Sequence, residues 1–186
     1  GYMRRLLTVC FLALSIGLFA RFEIPLPIFS MPQSDSENGI VEVFSDLSEE
    51  DMYLEITVVF TDEDYPCPVV NFLYDVYRYF KYGRIEDIET FYIRLDSDGK
   101  IIALDFPGIF AADHAFDDTK NLHGSAVLMP EVITFVDGRP LMFINTWNHM
   151  LGVIPSFDRA NEMLLLDYPV TEGTRSDAEH KYSWHH

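Results

Sequence analysis

Hydrophobic and polar side chains alternate along four segments in the middle of the chain, and these segments form two consecutive pairs. The segments are residues 90–95, 100–106, 131–136 and 141–147. Asp98-Gly99 connects the first pair, and Asp137-Gly138 connects the second. A period of two on both sides of an Asp-Gly turn is a strong local signal for a β-hairpin. We therefore predict two hairpins, one after the other.

One segment before the hairpins has a helical period instead. Its apolar side chains recur at three- and four-residue intervals, at Val69, Phe72, Leu73, Val76, Tyr77 and Phe80. Pro68 suits the first turn of a helix, and Gly83 suits the position just after the last turn. The spacing predicts an amphipathic helix over about residues 68–82, with its apolar face packed against the rest of the domain.

Residues 40–44 are predicted to form a short strand, and alternation at residues 52–60 predicts a second strand before the helix. Residues 159–168 are predicted to form a final strand, with a short helix as the alternative. This order of elements favours an α+β fold, in which one helix packs across an antiparallel sheet of about six strands. A β-sandwich with the helix as an insertion is the alternative architecture.

The pattern changes at both ends of the chain, which predicts a single globular domain at residues 40–170. Residues 1–20 place two arginines before an uncharged apolar run, as in a secretory signal, a short membrane anchor or an arm buried in a partner. An ordinary buried helix is the alternative interpretation. Residues 21–39 contain several prolines among polar residues and indicate a linker. Residues 171–186 are predicted to form a polar tail.

The two arginines near the start of the chain also predict its location. They would retain the N-terminus inside and direct the domain outwards, so we expect an extracytoplasmic protein that is secreted, periplasmic or at the cell surface.

The charge of the chain narrows the range of partners. Asp+Glu 30 against Lys+Arg 13 give a formal net charge of −17, while 48% apolar residues are sufficient for a folded core. Contact with phosphates requires a basic patch, so this charge argues against a nucleic-acid partner. It suits divalent cations or a cationic partner, and a salt-adapted source would produce the same acidity.

The connection between the hairpins, residues 107–124, is longer than connections in compact domains usually are. With the residue just before it, this loop gathers the candidate metal ligands Asp105, Asp113, His114, Asp117, Asp118 and His123. Carboxylate oxygens suit calcium, and imidazole nitrogens suit a transition metal. The spacing matches no helix-borne zinc motif, and a solvated acidic loop is the alternative interpretation.

Signals for catalysis are few. Asp105 and His149 lie at the ends of predicted strands and are the candidates for a general acid and base. No serine has the glycine-flanked setting of a nucleophile elbow, and no glycine-rich phosphate loop is present.

These observations favour a non-enzymatic extracytoplasmic domain that acts by binding a protein partner. Residues 1–20 would hold it at a membrane or in a larger assembly, and calcium would order the 107–124 loop. The alternative function is a secreted metal-dependent hydrolase that uses Asp105, His114, His123 and His149. A carrier of apolar ligands in the concave face of the sheet is a third interpretation.

Overall fold

A computed structural model describes residues 24–112, 114–120 and 123–185. The strands in this part of the chain are β1 (Ile28–Pro32), β2 (Ile40–Ser48), β3 (Tyr53–Phe60), β4 (Asp87–Leu95), β5 (Ile101–Phe110), β6 (Gly124–Leu128), β7 (Phe135–Val136), β8 (Arg139–Ile144), β9 (Leu151–Gly152), β10 (Glu162–Leu165) and β11 (Val170–Glu172). The α-helices are α1 (Pro68–Tyr82) and α2 (Arg175–Tyr182), and 3-10 helices form at Gln33–Asn38, Pro130–Val132 and Arg159–Asn161. The apolar segment predicted at residues 1–20 lies outside the described residues.

The strands form one mixed sheet that curls into a half-barrel. The order along it is β10-β1-β8-β9-β5-β4-β3-β2-β11, with β6 paired to β5 and β7 paired to β8. The pairings of β1 with β8, β2 with β11 and β5 with β9 are parallel. The predicted α+β fold with about six antiparallel strands is therefore wrong, and so is the β-sandwich alternative.

Strand β1 arises within residues 21–39, where the sequence indicated a linker. Phe29 and Met31 are fully buried in the main core, and the strand pairs with β8 on one side and β10 on the other. Pro27 precedes the strand and Pro32 is its last residue. Proline is tolerated at the ends of a strand, where a missing N–H removes few ladder bonds.

The segment predicted as a polar tail, residues 171–186, supplies part of β11 and all of α2. Thr174 and Asp177 form a capping box that begins α2, which satisfies N–H groups at the helix start. Ala178 is fully buried and packs in a small second core with Phe44 and Ile88. The end of the described chain is thus attached to the sheet.

The elements predicted from local patterns are confirmed. β4 and β5 form the first hairpin and β7 and β8 form the second, which is shorter than predicted because Pro130–Val132 adopts a 3-10 helix. Helix α1 has the predicted bounds, and Gly83 ends it with φ of 71°, a left-handed conformation that glycine adopts without steric cost. β10 lies within the segment predicted as the final strand.

Replacing Phe29 by alanine tests whether β1 is part of the core. Phe29 is fully buried, with its ring centroid 6.4 Å from that of Phe91. We expect Phe29→Ala to lower the free energy of unfolding by about 3–5 kcal/mol, measured by urea denaturation. Phe135→Ala is the matched control, because Phe135 is 40% exposed in β7, and its loss should cost less than about 1 kcal/mol. Equal effects of the two variants would contradict the packing of β1.

Candidate functional site

Helix α1 presents its polar side to the protein and its apolar side to solvent. Its buried and half-buried residues are Asn71, Tyr74, Asp75 and Arg78. The apolar residues that should have faced the core are exposed instead, as shown by Val69 (75% exposed), Phe72 (68%) and Phe80 (67%). The predicted packing of the apolar face of this helix is therefore wrong.

We refer to the exposed apolar and aromatic side chains of α1 as the apolar outer face. They are Val69, Val70, Phe72, Leu73, Val76, Tyr77, Tyr79, Phe80 and Tyr82, each at least 41% exposed. Single exposed apolar residues are ordinary, but a contiguous apolar patch of this extent is typical of an interaction site.

Arg78 explains why the polar side of α1 faces inwards. Its side chain is only 1% exposed, with Nη1 2.7 Å from Oδ1 of Asp62 and Nε 3.0 Å from Oε1 of Glu63. A buried guanidinium is costly unless carboxylates pair with it. Because both carboxylates follow directly after β3, these ion pairs connect the inner side of α1 to the end of that strand.

The surroundings of Glu63 in this group shift the pKa of its carboxyl. The hydroxyl of Tyr74 donates a hydrogen bond to Oε1 of Glu63 at 2.8 Å. Burial, reinforced by the negative charge of Asp87, raises the pKa of Glu63 to about 7, although the charge of Arg78 opposes the shift. A carboxyl with such a pKa exchanges a proton near neutral pH. Oε1 is already held by Tyr74 and Arg78, so we assign Glu63 a structural role.

His149 is fully buried in the loop between β8 and β9. Its Nδ1 lies 3.0 Å from Oδ2 of Asp87, and its Nε2 lies 3.6 Å from Oδ2 of Asp35. The imidazole stacks on Phe60 with 4.0 Å between ring centroids. Burial by itself lowers the pKa of His149, but the two carboxylates outweigh it and raise the pKa to about 9. His149 is therefore an imidazolium at neutral pH that bridges two carboxylates.

Arg78, His149 and the carboxylates that pair with them form one group, which we call the ionic cluster. Its members are Asp35, Asp62, Glu63, Arg78, Asp87 and His149. They come from the 3-10 helix before β2, the end of β3, α1, the start of β4 and the loop after β8. Because one buried group joins segments that are distant in sequence, the cluster fixes the position of α1 on the sheet.

A cleft of about 450 Å³ opens beside the cluster, where β4 and β5 separate. β4 pairs with β5 only from Tyr92 to Leu95, so the first residues of β4 line the cleft. Burial raises the pKa of Glu89 on its wall well above the ordinary value, and the charge of Asp87 adds to the effect. Arginines also line the cleft, but they pair within the protein, as Arg84 does with Glu179 at 3.3 Å. We therefore assign no ligand to it.

The structure distributes the predicted metal ligands over several places. Asp105 forms an ion pair with Arg94 on the neighbouring strand. His114 has Nδ1 3.1 Å from Oδ2 of Asp118, and these are the two predicted ligands that the structure brings into contact. His123 has Nδ1 3.1 Å from the carbonyl oxygen of Gly108.

The two remaining predicted metal ligands are Asp117 and Asp113. Asp117 lines a different cleft, and Asp113 lies outside the described residues. Among the described residues, no group of three or more His, Cys, Asp or Glu side chains could hold a metal ion. The calcium site therefore stays a prediction. The predicted acid and base have different partners: His149 contacts Asp87 and Asp35, whereas Asp105 contacts Arg94.

Sequence reasoning missed most of the ionic cluster. Its four acidic members lie in three separate segments, and an Asp or Glu in such a position has the pattern of an ordinary surface residue. Asp62-Glu63-Asp64 follows the predicted strand at residues 52–60 and has the pattern of an ordinary strand end. One signal was present: Arg78 lies on the side of the helix opposite the apolar positions, together with Tyr74.

Comparison of the chain with protein-family models, with curated proteins and with solved structures found no match. Neither of the two helices in the described part of the chain has the length and hydrophobicity needed to cross a membrane. The function therefore has to be inferred from the geometry of the ionic cluster, the clefts and the apolar outer face.

Unfolding at several pH values tests the ionic cluster. Because a raised pKa means that the folded protein holds its proton more tightly, His149 contributes stability that is present below its ordinary pKa of 6.5 and lost as the pH rises through about 9. Glu63 acts in the same direction between pH 4.5 and about 7. We expect urea denaturation to show a loss of about 3 kcal/mol from His149 between these limits.

The control for this experiment is His149→Gln, which should remove the loss of stability between pH 6.5 and about 9 while leaving the part due to Glu63. A free energy of unfolding that stays constant or rises with pH in the wild-type protein would contradict the bridging imidazolium.

Proposed function

We propose that this protein is an interaction domain that docks, through the apolar outer face of α1, onto the same face of a second copy. The observation that carries the proposal is the orientation of α1, which leaves its apolar side in water. Burying apolar surface against a matching surface is favourable in proportion to the area removed from water. The proposal assigns the partner binding expected from the sequence to α1, whereas the sequence had suggested residues 1–20.

The size of the apolar outer face supports this occupant. If a fully exposed aromatic side chain contributes 150–250 Å², the five aromatic residues of the face alone expose roughly 400–700 Å². The largest patch on a typical monomer is roughly 300–600 Å². With the four aliphatic side chains added, the face approaches the roughly 800 Å² per partner of a standard stable interface.

The charges at the two ends of α1 favour an antiparallel arrangement. Asp64 is exposed shortly before the N-terminal end of the helix, and Lys81 is exposed in its last turn. A two-fold axis across the face brings the same surface of both copies together in opposite directions. Lys81 of each copy then approaches the acidic end of the other helix, and the helix dipoles also oppose one another.

An anionic membrane surface fits the apolar outer face less well. Helices that lie in a membrane interface usually carry many Lys and Arg residues on their polar side. All residues of α1 are described, and Lys81 is the one basic side chain of the helix that is exposed, because Arg78 is buried. The net charge of −17 also repels anionic lipids.

An extracytoplasmic location, with residues 1–20 as a signal, anchor or assembly arm, is compatible with self-docking through α1. The geometry does not support a metal-dependent hydrolase, since Asp105, His114, His123 and His149 each contact different groups.

The direct test is the mass of the full-length protein in solution, measured by size-exclusion chromatography with light scattering over a wide concentration range. We expect a dimer whose dissociation constant rises at least about tenfold in Phe72→Asp, because a central aromatic anchor becomes charged. Added sodium chloride should strengthen the wild-type dimer, since it screens the repulsion between two chains of charge −17.

Ile154→Asp is the matched control. Ile154 is 74% exposed and lies outside α1, so the substitution adds the same charge at an equally exposed apolar site. It should dimerise like the wild type. A wild-type protein that remains monomeric at all concentrations would overturn the proposal, and binding of that monomer to phosphatidylcholine vesicles would assign the face to lipid instead.

The direction of the helices can be measured separately. Cys67 is exposed and immediately precedes α1, and Cys10→Ser leaves it as the single cysteine. Spin labels on the two copies of Cys67 should lie about 20 Å or more apart, since antiparallel helices of 15 residues place them at opposite ends. Labels in close contact would indicate parallel helices and contradict the charge argument.

A further inference from the structure

The C-terminal end of α1 packs against residues 183–185, which follow α2 and which we call the C-terminal brace. The backbone N–H of Trp184 donates a hydrogen bond to the carbonyl oxygen of Gly83 at 2.9 Å. The hydroxyl of Ser183 donates to the carbonyl oxygen of Tyr82 at 2.5 Å. These two bonds attach the brace to the last turn of α1 and to the residue that ends it.

Helix α2 fixes the C-terminal brace from its other side. Lys181 and Tyr182, in the last turn of α2, both donate to Oε2 of Glu42 on β2, at 2.6 and 2.7 Å. The ring of His185 lies so close to Gly83 that a Cβ at this glycine would collide with it. The brace is therefore held in one position between α2 and the end of α1.

Trp184 extends the apolar outer face of α1 onto the C-terminal brace. Its ring contacts that of Tyr79, a member of the face, with 5.9 Å between centroids, and that of His185 with 4.1 Å. Trp184 is nevertheless 57% exposed. If a tryptophan side chain offers about 250 Å², this exposure adds about 140 Å² of surface next to the face. The extended surface comes closer to the roughly 800 Å² per partner of a standard stable interface.

We infer that Trp184 is an anchor of the self-docking interface and packs against the start of α1 in the second copy, an inference that rests on the proposed function. In the antiparallel arrangement, the C-terminal end of one helix faces the start of the other. Trp184, which lies beside Tyr79, then approaches Val69 and Phe72 of the second copy, which are 75% and 68% exposed. Aromatic side chains held in one position lose little conformational freedom on binding, and tryptophan is enriched among the residues that dominate interfaces.

Acrylamide quenching of tryptophan fluorescence in the full-length wild-type protein measures the exposure of Trp184. The chain has two tryptophans, and Trp147 is 8% exposed, so Trp184 accounts for most of the quenching. We expect the quenching constant to fall at least about twofold as the protein concentration rises, because burial in the core of an interface shields the indole from the quencher. The midpoint of this change should match that of dimerisation measured by light scattering.

Trp184→Ser measures the contribution of this side chain to self-docking. We expect the dissociation constant of the dimer to rise at least about tenfold, as is typical when an anchor tryptophan is lost. Phe135→Ser is the matched control, because it removes a 40% exposed aromatic ring from β7, outside the extended surface, and should leave the constant unchanged. At concentrations that keep the wild type monomeric, both variants should have urea midpoints close to that of the wild type, which would show that the fold is retained.

Two results would overturn the role of Trp184 while leaving the self-docking of α1 intact. One is a dimer in which acrylamide quenches as strongly as in the monomer. The other is an unchanged dissociation constant in Trp184→Ser although Phe72→Asp weakens the dimer. Equal weakening by Phe135→Ser and Trp184→Ser would show a general effect of exposed aromatic side chains and would also overturn it. A wild-type protein that remains monomeric at all concentrations would overturn both the proposed function and the role of Trp184.

Discussion

The burial of Arg78 is the constraint on which the arrangement of this protein depends. A guanidinium that is 1% exposed needs carboxylate partners, and Asp62 and Glu63 provide them at 2.7 and 3.0 Å. Since Arg78 lies on the polar side of α1, pairing it inside the protein turns that side inwards. The apolar side must then face solvent. The polar interior and the exposed apolar helix therefore have a common cause.

The bridging imidazolium of His149 extends this constraint to other parts of the chain. Its contacts join Asp87 at the start of β4 to Asp35 in the 3-10 helix before β2. Two residues earlier in the same loop, Trp147 lines a cleft of about 290 Å³ together with Asp35. The group that holds the fold together thus also positions the wall of this cleft.

Local patterns predicted α1 and both hairpins, because periodicity and an Asp-Gly turn are contained within a few neighbouring residues. They could not predict that β1 pairs with β8, since a parallel pairing leaves no turn signal and joins Phe29 to Met142 across more than a hundred residues. The spacing of Phe72 and Phe80 defined an apolar side of α1 but not the side that faces the protein. That choice depends on Arg78 and on carboxylates from other segments.

The free energy of unfolding of Arg78→Met, compared with that of Phe72→Ser, tests this account most directly. Both would be measured by urea denaturation at protein concentrations too low for self-docking. The account predicts a loss of about 3–5 kcal/mol for Arg78→Met, because Asp62 and Glu63 keep a buried charge without its partner. It predicts less than about 1 kcal/mol for Phe72→Ser, whose side chain is in solvent. A larger loss for Phe72→Ser than for Arg78→Met would show that the apolar side of α1 faces the core, and would contradict the account.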